Sequence, residues 1–152
     1  MAISPHIARL RTLVGSELLQ LPSVVVLPVD SSGNVLLARH ADTGVWGLVG
    51  GAIEIDESPC DAAMRETVEE IGLRPTAMVM IGAFGGPEYR VQYPNGDLVS
   101  YVVTAYEARL ETGNLMPDGE EVTEARWFGG STLPMGEMNN LAAALLRDAG
   151  YD

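Results

Sequence analysis

The 152-residue sequence contains no lysine, so all nine of its basic residues are arginines, set against 21 acidic residues for a formal net charge of −12. Such a balance repels polyanions, and no cluster of arginines supplies the basic stripe on which DNA or RNA binding rests. Without lysine a GxxxxGK[ST] phosphate loop is impossible. Cysteine is nearly absent too: Cys60 stands alone and cannot close an intramolecular disulfide. With only His6 and His40 to join it, a zinc site of the Cys/His type lacks ligands. No apolar run approaches the roughly 20 residues that cross a bilayer, and no signal-peptide pattern is present. The expectation is a cytoplasmic protein with neither a membrane nor a nucleic-acid partner.

What is present reads as an ordinary globular chain, 47% hydrophobic and 20% charged. Its length fits one domain over residues 1–152 with a single core. Ser4 and Pro5 ahead of Ile7, Leu10, Leu13 and Val14 predict a short amphipathic helix over about 4–14. That helix could pack on the core or pair with a second copy in a homodimer. Residues 24–29 form an apolar run of strand type, Ser31 to Asn34 a turn, and residues 35–39 a second strand, which together predict a hairpin. Residues 77–84, 98–110 and 125–128 read as further strands, with a hairpin turn at Asn95-Gly96 before the second of them. Leu141, Leu145 and Leu146 mark a C-terminal helix. Strands mixed with three helices imply a layered α/β arrangement.

The chemistry concentrates between Gly51 and Leu73. Ser58 as cap, Pro59 in the first turn and Gly72 beyond the last predict a helix between them. Cys60, Met64, Thr67, Val68 and Ile71 are expected to face the sheet. Glu66, Glu69 and Glu70 stand at i, i+3 and i+4, so their carboxylates are expected to share the opposite face. Like charges so placed repel one another, and a divalent cation turns that repulsion into attraction. Arg65 can reach Glu69 one turn on, and Glu57 can fold back toward the same cluster.

Gly51, five residues, Glu57, seven residues, then Arg65-Glu66-Thr67-Val68-Glu69-Glu70-Ile71-Gly72-Leu73 is a long fixed spacing. Its seven fixed matches would arise by accident on the order of once in a million sequences of ordinary composition. The stretch resembles the Nudix box, G-x5-E-x7-R-E-U-x-E-E-x-G-U with U a bulky aliphatic residue, the signature of the Nudix hydrolase family. Thr67 departs from the pattern at the first U position, while Val49 stands where the family usually has Pro and Asp56 where it often has Gly. The resemblance implies an α/β/α sandwich with a mixed sheet. It implies a pyrophosphohydrolase that uses Mg2+, with Mn2+ as a substitute, to cut the diphosphate linkage of a nucleoside diphosphate derivative. Nucleoside triphosphates, including oxidised ones, are favoured, with ADP-ribose and nucleotide sugars as alternatives.

Residue by residue, the resemblance makes Glu66, Glu69 and Glu70 metal ligands or the metal-bound base, with Glu57 and the Gly50 carbonyl beside them and Arg65 as the orienting partner. Within the family the general base is either the residue at the Glu66 position or a glutamate outside the box, for which the acidic loop before Trp127 offers Glu120 and, first by spacing, Glu121. Gly50 and Gly51 are expected to approach substrate, and Arg39 to pair with a phosphate oxygen. A second class of function, a binding module that senses a nucleotide without cutting it, usually loses one of these residues. All are intact here.

Overall fold

A computed structural model describes residues 3–151. Its centre is β1 (Leu19–Pro28), a strand whose last six residues are all buried. A run apolar on both faces belongs in the middle of a sheet covered on both sides. β4 (Val49–Ala52) borders it antiparallel, setting Gly50 opposite Val25 and Gly51 opposite Val24. On its other edge β1 runs parallel to β7 (Leu98–Leu110). β7 also pairs antiparallel with β5 (Pro75–Phe84) and with the short β6 (Arg90–Gln92). The turn predicted at Asn95-Gly96 joins β6 to β7, with the Tyr93 and Asp97 backbones closing it.

A second, three-stranded antiparallel sheet sets β2 (Val35–His40) between β3 (Trp46–Gly47) and β8 (Val122–Phe128). The predicted β1–β2 hairpin is therefore corrected. The turn at residues 30–34 exists, held by Asp30 and Asn34, but only one bridge, Val29 to Val35, follows it. Both edges of β1 are already taken by β4 and β7, so β2 diverges into the other sheet.

Among the described residues three α-helices complete the fold: α1 (Pro5–Val14), α2 (Pro59–Ile71) and α3 (Asn140–Asp148). Ser4, Ser58 and Asn139 cap their N-termini, each side chain accepting a backbone N–H from the first turn. On one side Ala142, Leu145 and Leu146 of α3 join Val25, Leu27 and Trp46 in an apolar cluster. On the other side Ala62, Ala63 and Ile71 of α2 pack with Val24, Val26 and Val49. Alternate β1 residues thus feed opposite cores, which makes an α/β/α sandwich around a mixed sheet. Among the described residues no helix is long and apolar enough to cross a membrane.

Candidate active site

The face of α2 that meets the sheet differs from the one its apolar residues predict. Ala62, Ala63, Glu66, Thr67, Glu70 and Ile71 are buried, whereas Cys60 and Val68 are exposed. Two alanines let the helix lie close to the sheet, and that proximity forces the intervening glutamates inward. Glu66 and Glu70, expected opposite the packing face, are part of it. Thr67 is fully buried and donates its hydroxyl to the Ala63 carbonyl at 2.7 Å, so its polar atom needs no outside partner.

β4 receives these carboxylates. A Cβ on Gly51 would lie 2.3 Å from Glu66 Oε1, and one on Gly50 would lie 2.1 Å from the Val24 carbonyl. Both positions therefore need glycine: one for the carboxylate, the other for the central strand. The Gly50 N–H points to Glu70 Oε2 at 3.4 Å.

Arg65 ties the loop before the helix to the cluster. It grips Glu57 with two hydrogen bonds of 2.8 Å, donates to Glu66 at 3.0 Å and to Glu69 at 3.3 Å, and reaches the Ala52 carbonyl at 3.1 Å. The guanidinium holds Glu57 below its ordinary carboxylate range. Within this loop Asp56 sits at φ 62°, the left-handed conformation that glycine takes most easily and Asp tolerates.

The third carboxylate comes from the loop ahead of β8. Oxygens of Glu66, Glu70 and Glu121 all lie within 4.8 Å of one another. Asp118 shapes that loop, its Oδ1 accepting the backbone N–H groups of Glu120, Glu121 and Val122 at 3.1, 3.0 and 2.8 Å. The Ala41 N–H holds the Glu121 carbonyl at 2.9 Å, and the Asp118 N–H meets the Glu70 carbonyl at 3.3 Å. Burial pushes Glu66 up to about 7, with Arg65 opposing and Glu69 and Glu121 adding to the rise. Glu70 is driven well above its ordinary value by burial and then by Glu66. Carboxylates this close and this dry call for a positive charge, and their all-oxygen donor set suits a hard divalent cation.

A family model described as the NUDIX domain matches residues 19–148. The chain belongs to the Nudix family. Of its relatives, the NAD-capped RNA hydrolase NudC of Pseudomonas syringae pv. syringae is 31% identical over 84% of this chain and 43% of its own length. The RNA pyrophosphohydrolase of Halorhodospira halophila is 37% identical over 41% of this chain and 34% of its own. The chain thus spans less than half of either relative. In fold it is similar to the NUDIX domain of Shewanella oneidensis NrtR, solved with ADP ribose, at a TM-score of 0.66 and 18% identity over 99% of this chain and 97% of that one.

Within this Nudix site the structure brings together Glu66, Glu70, Glu121, Gly50 and Gly51. Glu69 stays half exposed on the Arg65 side, and Glu57 reaches Arg65 instead of the three-carboxylate group. Arg39 lies elsewhere: its guanidinium covers the Trp46 ring at 4.8 Å and faces Glu124 at 3.9 Å. A cavity of about 510 Å³ opens beside the cluster, reaching from Glu66, Glu69 and Glu121 to α1 and the Tyr93 loop. Arg39 is not among its lining residues. Sequence reasoning missed Asp118, whose only available signal was the Asp118-Gly119 turn pair, and it missed the contribution of α1 to the cavity.

Proposed function

We propose that the chain is a hydrolase that splits a phosphoric anhydride in a nucleoside diphosphate derivative, with Mg2+ as its working ion and Mn2+ as a substitute. The observation that carries this reading is the convergence of Glu66 and Glu70 of the Nudix box with Glu121 of the loop ahead of β8, their oxygens within 4.8 Å of one another. The hydrolase names of the two relatives support it. A small nucleotide suits the chain better than a polymer, since a net charge of −12 repels nucleic acid. An exposed, unpaired Cys60 suits a reducing compartment, and we place the chain in the cytoplasm.

Glu66, Glu70 and the Gly50 carbonyl would hold the ion, with Glu69 at its outer edge. The ion, when bound, neutralises phosphate charge and lowers the pKa of water. Arg65, gripped by Glu57, fixes the Glu66 carboxylate through its 3.0 Å hydrogen bond. Gly50 orients Glu70 through its N–H. Glu121, mounted on the loop that Asp118 organises, is positioned to accept the proton of a water attacking phosphorus. Arg39, turned toward Trp46 and Glu124, takes no part in this scheme.

The test is product release from nucleoside triphosphates, oxidised guanine nucleotides, ADP-ribose, nucleotide sugars and dinucleoside polyphosphates, each with Mg2+ and with chelator. Cleavage of at least one class, lost with chelator, is expected. Tight nucleotide binding without cleavage of any class would replace the hydrolase with a sensor.

A further inference from the structure

The cavity continues well past the carboxylates, and its far compartment has a different chemistry. Ile7 of α1, Leu21 of β1, and Val99 and Tyr101 of β7 line it with Tyr93. The Tyr93 and Tyr101 hydroxyls hydrogen-bond to each other, so the polar tips of these two lining residues are already satisfied. A volume of about 510 Å³ lies in the range of sites that enclose a small organic ligand.

The charged residues around the cavity decide what that ligand carries. Among the described residues only two basic side chains line it, Arg11 and Arg65, and both are engaged by the protein. Arg11 donates to the carbonyls of Gly15, Glu17 and Leu98 at 3.1, 2.7 and 2.9 Å, and its Nε lies 3.5 Å from Asp97. Arg65 serves Glu57, Glu66, Glu69 and the Ala52 carbonyl. The remaining charged linings, Asp42, Glu54 and Asp97 among them, are acidic. Among the described residues nothing in the far compartment offers an uncommitted positive charge, so a phosphate is better held at the cation end.

We propose that α1 and the Tyr93–Tyr101 pair form the specificity compartment for an uncharged aromatic group, the nucleobase of the substrate, and that this compartment rejects substrates bearing a further phosphate there. The inference rests on the nucleotide reading above. It also assigns a role to α1, whose residues 5–14 precede the 19–148 segment matched by the family model. Arg11 fastens that helix to the start of β7 through Leu98, so the wall is built into the fold. Stacking on aromatic rings and exclusion of water supply the affinity, while the acidic surroundings supply the discrimination.

Calorimetry with Mg2+ tests this without turnover, using the four common nucleoside monophosphates, ribose 5-phosphate, and the 2′-phosphorylated form of the best-bound nucleotide. The best monophosphate should bind at least tenfold tighter than ribose 5-phosphate, and adding the 2′-phosphate should weaken it at least tenfold. Ile7→Asp and Tyr93→Ala should each remove most of the advantage of the base, while Tyr93→Phe keeps it. Equal binding of monophosphate and ribose 5-phosphate, or an unchanged advantage in folded Tyr93→Ala, would overturn the proposal. Base-dependent binding without cleavage of any substrate would retain the compartment and refute the hydrolase; cleavage with base-independent binding would do the reverse.

Discussion

Gly50 and Gly51 are neighbours on β4, yet the side chains they lack would strike different things. A methyl group on Gly51 meets the flexible end of Glu66, which can turn aside; a methyl group on Gly50 meets the carbonyl of the central strand, which cannot. Gly51→Ala should therefore fold with a cost of about 1 kcal/mol and lose tenfold or more in turnover, because Glu66 is pushed from the cluster. Gly50→Ala should cost about 3 kcal/mol or more, read as a drop in melting temperature. Wild-type turnover in Gly51→Ala would remove Glu66 from the working geometry. At this scale the sequence was informative about identity and silent about placement. The box spacing marked Glu66, Glu69 and Glu70 alike, but burial separates them, since an isolated helix pattern does not say how closely Ala62 and Ala63 admit the sheet. Thr67 and Asp56, departures from the family pattern, are accommodated by a hydroxyl bond within the helix and a left-handed turn.

Among the elements, the loop before β8 supplies the third carboxylate of a cluster whose other two come from α2. Spacing from Trp127 pointed to Glu121, but the loop's shape depends on Asp118, which acts on backbone N–H groups and so leaves almost no trace in side-chain pattern. Asp118→Ala leaves those donors to water and should lower turnover about tenfold with little change in melting temperature. Asp118→Asn retains an acceptor oxygen and should recover most of that loss; equal defects in both variants would show that the charge of Asp118 matters instead of its hydrogen bonds. Most strands were legible because their apolar runs and turn residues are local signals. The pairing of β1 was not, because its partners β4 and β7 lie far away in the chain and the 30–34 turn suggested the nearer choice. The helix α1 was legible as a helix, but its place over the cavity depends on Arg11 meeting a carbonyl 87 residues away.

For the whole molecule, burying Glu66 and Glu70 is expected to cost stability wherever they are ionised, a cost that a bound cation would offset. Burial pushes Glu66 from its ordinary 4.5 up to about 7, so between those values the folded state holds its proton longer than the unfolded one and its contribution to stability falls as pH rises. Glu57 has the opposite sign: its lowered pKa contributes stability above its unfolded value of 4.5, lost as the pH falls through its folded pKa. The Glu66 penalty in the metal-free chain, about 3 kcal/mol, should be complete above pH 7, with buried His40, whose pKa is lowered, contributing the opposite slope below its ordinary 6.5. Mg2+ should raise the melting temperature more at about pH 8 than at about pH 5, since it binds the ionised carboxylates of the folded state. The reverse order would contradict the assignment of these groups. If Glu66, Glu70 and Glu121 form one cation-dependent hydrolytic centre, turnover of a cleaved nucleotide during Mg2+ titration of the chain and of Glu70→Gln will show it. The wild-type rate should rise from near zero in chelator to a plateau, with Glu70→Gln lower by orders of magnitude throughout. Undiminished cleavage in chelator, or a Glu70→Gln curve that overlays the wild type, would contradict it.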